Sequence, residues 1–228
     1  MKKYIGISFI LIAAAVIWWQ WMYPPAIWRY RLTLEVETPE GLKTGSSVIE
    51  VQVFDGPHLN PEGASMWRVR GEAVAVDLGA RGILFALLPS ERIVDYPVFV
   101  VFDLFPWPGG PGGEITKKGR AFYQALRGKT EIPFEKLPML VRFRDINDPM
   151  TVELVEPKNL TKSFGSGVRL AHASLEMTRD PVTSKIDTEL MWLEKSAGAV
   201  TGKTVFDAEN PGPENYVTRL NFKRGIVK

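Results

Sequence analysis

The sequence predicts an α+β fold that is mainly antiparallel β, with an amino-terminal transmembrane helix followed by a β-rich, sandwich-like body carrying a few short helices. Three observations carry this expectation. Residues 4–23 contain no charged side chain. Beyond them the apolar residues recur with period two rather than 3.6, and turns rich in Gly and Pro cut these runs into short segments. The composition fits, since 228 residues with 45% hydrophobic and 24% charged side chains are ordinary for a globular chain.

The apolar run comes first. Ser8 and Gln20 are its only clearly polar residues, and at about 1.5 Å per residue its length matches a hydrocarbon core roughly 30 Å thick. Trp18, Trp19, Trp21 and Tyr23 crowd one end, where amphipathic rings favour the headgroup layer, and Pro24-Pro25 stops the helix. A cleaved secretory signal is the rival, because Ala13-Ala14-Ala15 supplies small residues after a short apolar stretch. Cleavage there would leave a chain opening Val16-Ile17-Trp18-Trp19, still apolar, so an uncleaved anchor is the preferred reading. Lys2 and Lys3 on one side oppose Arg29, Arg31 and Lys43 on the other. The two-lysine tail resembles a signal anchor that exports the carboxyl side. Residues 1–25 are therefore assigned to the anchor and 26–228 to the body.

Within the body, Trp28, Tyr30, Leu32, Leu34 and Val36 alternate with Arg29, Arg31, Thr33, Glu35 and Glu37, as in a half-buried strand. Pro39-Glu40-Gly41 turns the chain, and Ile49, Val51 and Val53 make the return strand of a hairpin. Trp67 and Val69 sit out of phase with Val74, Val76 and Leu78, which predicts a bulge at Gly71. The wholly apolar run from Ile83 to Leu88 belongs to a strand covered on both faces, and Tyr96 to Phe105 is expected to add another. The stretch from Pro106 to Gly113 holds three prolines and four glycines and is the candidate division of the body into two parts. A helix is predicted from Glu114 to Gly128, with Ile115, Phe122 and Leu126 on one face and Lys117, Arg120 and Arg127 on the other. Further strands are expected at Met139 to Phe143, Met150 to Val155, Ala171 to Met177 and Tyr216 to Phe222, with short helices at Pro157 to Phe164 and Ser184 to Glu194.

The runs WRYRLTLEVETPEG (28–41), GSSVIEV (45–51), RFRDINDPMTVELVEP (142–157), FGSGVRL (164–170) and DPVTSKID (180–187) resemble those of bacterial membrane-anchored β-rich proteins with no assigned function. The resemblance implies a location in the cell envelope, and the apolar run with its exported carboxyl side makes the expectation a single-pass protein of the bacterial inner membrane with its body in the periplasm. It implies no activity and no catalytic residue.

The chemistry available is narrow. Zero cysteines exclude thiol catalysis and Cys-based metal sites. His58 and His172 are the only histidines. The alternation places His172 on an exposed face, and a metal gathered by Asp55, His58 and Glu62 is outweighed by the turn residues around them. The glycine-rich loop lacks the Gly-Lys-Ser/Thr of a phosphate cradle, and its prolines remove donors. No cofactor is expected. A net charge of +2 disfavours nucleic acid as a partner.

What remains is a candidate partner surface. Phe99, Phe102, Phe105 and Trp107 form an aromatic concentration beside the flexible loop, and Lys117, Lys118, Arg120 and Arg127 rim it with positive charge. The leading expectation is a binding or accessory module of an envelope assembly, anchored through residues 4–23 and contacting a protein partner. The alternative is an envelope hydrolase working through carboxylates, with Glu72, Asp77 and Asp103 as the acids most embedded in apolar sequence.

Overall fold

The computed structural model describes residues 24–54, 67–196, 200 and 217–225, together with Trp18. Apart from Trp18, the anchor segment 4–23 lies outside the described residues, as do Asp55, His58 and Glu62. Among the described residues no helix is long and apolar enough to cross a membrane. The fold is α+β, with antiparallel sheets and a few short helices.

Alternation builds the first hairpin. Strands β1 (Ala26–Thr38) and β2 (Gly41–Val53) pair along their whole length, from Ala26 opposite Val53 to Thr38 opposite Gly41. Every second side chain of β1 is buried, so period two in the sequence becomes one dry face. β3 (Trp67–Glu72) joins β2 on one side. On the other side β9 (Arg169–Thr178) pairs with β1, while β6 (Lys129–Glu131) and β10 (Lys223–Arg224) form the edges, giving the order β10-β3-β2-β1-β9-β6.

The phase change near Gly71 has a different cause from the expected bulge. β3 ends at Glu72 and the chain crosses into a second sheet, where β4 (Val74–Asp77) begins. That sheet has the order β4-β5-β7-β8, with β5 (Ile83–Ala86), β7 (Leu140–Phe143) and β8 (Val152–Leu154). The main register irregularity in the first sheet lies instead in β9, whose pairing with β1 shifts between Glu35 and Val36. Where β3 departs, Thr183 takes over the backbone of Val48, accepting its N–H through Oγ1 at 2.9 Å and donating its own N–H to its carbonyl at 3.2 Å.

Two cores explain the apolar run from Ile83 to Leu88. Leu84, Ala86 and Leu88 point into the core shared with the first sheet, whereas Phe85 and Leu87 point into a second core with Phe143, Leu190 and Phe222. A strand dry on both faces has no position left for a polar side chain. The first core draws residues from both sides of the 106–113 stretch, including Val98 and Val101 before it and Tyr123 and Leu140 after it.

Among the described residues of the body there are five short α-helices: α1 (Tyr96–Leu104), α2 (Lys117–Ala125), α3 (Leu160–Phe164), α4 (Ile186–Glu189) and α5 (Arg219–Phe222). α1 corrects the expectation of a strand from Tyr96 to Phe105. Its β-branched and aromatic residues favour strands, but Pro97 suits the first turn of a helix and one flank of the segment is buried, so packing overrides propensity. α5 corrects the strand expected to end at Phe222, where Thr218 donates its backbone N–H to Asn221 Oδ1 at 2.6 Å and turns the chain helical. Tyr216 lies outside the described residues.

Candidate functional site

Helical spacing turns the aromatic concentration into a packed layer. In α1, Phe99 and Phe102 fall three residues apart on one side. Phe99 meets Trp67 edge-on with centroids 5.4 Å apart, and Phe102 lies 4.8 Å from Tyr123 and 6.1 Å from Trp28. The layer continues through Tyr123 to Phe122 at 5.1 Å and from Phe122 to Trp107 at 5.3 Å. Such contacts add roughly 0.5–1.5 kcal/mol each to the area they bury. Phe99, Phe102, Phe105 and Trp107 are all half-buried, with Phe102, Phe105 and Trp107 packed on the first core.

The loop from Pro106 to Gly113 closes over Trp107. A Cβ at Gly109 would stand 2.2 Å from the indole Nε1, and one at Gly113 would stand 2.6 Å from it. These glycines let the backbone lie against the ring. Thr116 then caps α2 by accepting the N–H of Gly119 at 3.2 Å, two residues after the predicted start. Tyr123, which the sequence reading passed over, is the fully buried residue of α2, and its hydroxyl donates to the Phe105 carbonyl at 3.1 Å. Burial, helped by the charge of Glu114, pushes its pKa up to about 12.

The basic residues divide into two groups. Lys117 and Lys118 are exposed at the start of α2, while Arg120 bends back to donate to the Ile115 carbonyl at 2.8 Å. Arg127 lies beyond the far end of α2, which closes at Ala125. It borders a cleft of about 190 Å³ with Ile27, Trp28, Arg29, Met177 and Arg179. That Arg29 lies near Arg179 is not readable in the sequence, where 150 residues separate them. The pairing of β1 with β9, in which Arg29 opposes Thr178, brings them together.

Arg29 is held in place by Glu50, to which its Nε donates at 2.6 Å. Glu50 also accepts from Arg70 at 3.1 Å and from Gln52 at 2.8 Å. Burial alone would raise the Glu50 carboxyl, but hydrogen bonds from Gln52 and Arg29 and the charges of Arg29 and Arg70 outweigh it and hold the pKa below the usual carboxylate value.

The three embedded acids do not converge. Glu72 is buried and accepts the backbone N–H of Lys185 at 2.7 Å and of Ile186 at 3.0 Å, which fixes the start of α4. Burial raises its pKa against the pull of those donors. Asp77 accepts the N–H of Gly79 at 2.8 Å, and Asp103 faces Lys136 at 3.6 Å. A cleft of about 400 Å³ runs between α1 and residues 134–140, with Tyr96 and Val100 on its wall. The Tyr96 hydroxyl there donates to the Lys136 carbonyl at 2.9 Å. His172 is exposed, 3.3 Å from Glu131. Among the described residues no group of three His, Asp or Glu side chains is placed to hold a metal ion.

No protein-family model, curated protein or solved structure matches the chain.

Proposed function

We propose that the chain is a single-pass protein of the bacterial inner membrane, anchored by residues 4–23, whose β-rich, sandwich-like body acts in the periplasm as a binding or accessory module of an envelope assembly. The observation that carries this reading is the position of β1. It begins at Ala26, only three residues beyond Tyr23, and three residues reach at most about 10 Å. An anchored run would therefore hold this end of the first sheet at the membrane surface, with Ile27 and the arginine cleft beside it.

The half-buried aromatic layer and the exposed Lys117 and Lys118 support a contact surface for an acidic protein partner. No arrangement of Glu72, Asp77 and Asp103 favours the hydrolase reading. The test combines alkaline carbonate washing of membranes with a reporter fused after Lys228 that is active only outside the cytoplasm. Retention in the membrane with an active reporter is expected. Release by carbonate, a processed amino terminus at Val16, or activity only of a cytoplasmic reporter would overturn the assignment.

A further inference from the structure

The cleft at the start of β1 is bordered by three arginines, one of them paired with Glu50, and by apolar residues. Among the described residues its border contains Arg29, Arg127 and Arg179 and no carboxylate. Arg29 is committed to Glu50 and to the backbone carbonyl of Asp180 at 3.3 Å, which orients it. Among the described residues Arg127 donates to the backbone carbonyls of Gln124 and Leu126 alone. Arg179 is exposed and has no carboxylate partner among the described residues. The nearest acid in sequence, Asp180, is paired with Arg31.

Arg127 and Arg179, without a carboxylate partner among the described residues, favour an anion in the cleft, and the planar donor forks of arginine suit the oxygens of a phosphate. The remaining wall narrows the choice. Ile27 is exposed, while Trp28 and Met177 are buried behind it, and the indole N–H of Trp28 finds no acceptor among the described residues. A ligand that presents a phosphate beside an apolar body matches both parts of the lining, and a bilayer within about 10 Å supplies one.

We infer that this cleft binds the phosphate of an anionic phospholipid headgroup, clamping the body against the membrane that carries it. The inference rests on the anchored reading above. Arg127 and Arg179 reach the phosphate from just beyond α2 and just beyond β9, while Arg29, fixed by Glu50, supplies the rigid third side. The clamp sets the orientation of the body on the bilayer, which an anchor joined through three residues restricts but does not define.

The test uses the full-length protein in detergent, with native mass spectrometry counting retained lipid. Phosphatidylglycerol is expected to remain bound at one equivalent, and phosphatidylcholine is not. The double variant Arg127→Gln, Arg179→Gln should weaken phosphatidylglycerol retention roughly 30-fold, the effect of two cations near a lipid surface. Both side chains are exposed, so its thermal unfolding should match that of the parent protein, and Lys117→Gln, Lys118→Gln should retain lipid as the parent does. Equal retention of the two lipids, or unchanged retention in the double variant, would overturn the clamp. Displacement of the lipid by millimolar inorganic phosphate would assign the cleft to free anions instead and also overturn it. Carbonate washing of the parent protein separates the two claims: equal retention of the two lipids with membrane retention intact rejects the clamp alone, and release from the membrane rejects the anchor.

Discussion

Gly45→Ala tests how the two sheets meet. Gly45 lies in β2 opposite Leu34, and the carbonyl of Ala75 in β4 approaches it from the other sheet. A Cβ at position 45 would fall 2.2 Å from that oxygen, 2.8 Å from its carbon and 2.9 Å from Val76 Cγ2. The strands must separate by roughly 1 Å to restore ordinary contact in an interior packed as densely as a crystal. Neither can yield alone, because Ala75 is paired with Phe85, which is completely buried, and Leu34 is equally buried on its side. Overpacking of this kind costs about 1–3 kcal/mol, or more where backbone is involved. For a body of this size that corresponds to a fall in melting temperature of roughly 3–10 °C. Ser46→Ala, one residue away and exposed, is the control and should change stability by less than about 0.5 kcal/mol. Thermal unfolding of both variants in detergent, followed by near-ultraviolet circular dichroism, reads the difference. A Gly45→Ala protein melting within 1 °C of the Ser46→Ala protein, a difference roughly at the noise of such comparisons, would refute the close approach of β2 and β4.

Glu50 gives a pH dependence with a definite sign. Its folded pKa lies below the ordinary carboxylate value, so its stabilisation is complete above that value and is lost as pH falls through it toward the folded pKa. Glu50→Gln should flatten the acid limb of stability against pH and cost roughly 1–3 kcal/mol at neutral pH, less than a fully buried pair because Arg29 and Arg70 reach solvent; an unchanged acid limb would reject the cluster as its source. Phe102→Ala should cost roughly 2–4 kcal/mol by removing its ring contacts with Trp28 and Tyr123, whereas Lys117→Glu with Lys118→Glu should leave unfolding unchanged and weaken cross-linking to an envelope partner in intact cells. Unaltered cross-linking in the charge variant would remove those lysines from the contact surface.

Much of the β framework is legible from residue order because it depends on local alternation. From Trp28 to Val36 the period of two marks which side chains share a face, and β1 buries that face. The strand at Leu140 to Phe143 and the helical stretch before Gly128 are readable for the same reason, since pattern and turn residues act over a few positions. Local pattern does not say what covers a face. The run from Tyr96 to Phe105 suits strand or helix by composition, and its packing against Trp67, Trp28 and Tyr123 accompanies the helical outcome. The phase change at Gly71 reads as a bulge until the second sheet is seen. Glu72 looks like a candidate acid until the backbone of Lys185 and Ile186, more than a hundred residues later, occupies its carboxylate. The candidate aromatic and basic residues are likewise visible one by one, yet their division is not. Strand pairing places Arg29 beside the Thr178–Arg179 end of β9, and the position of α2 adds Arg127. Period and propensity are properties of neighbours along the chain, whereas a cleft built from three separated segments is a property of their docking.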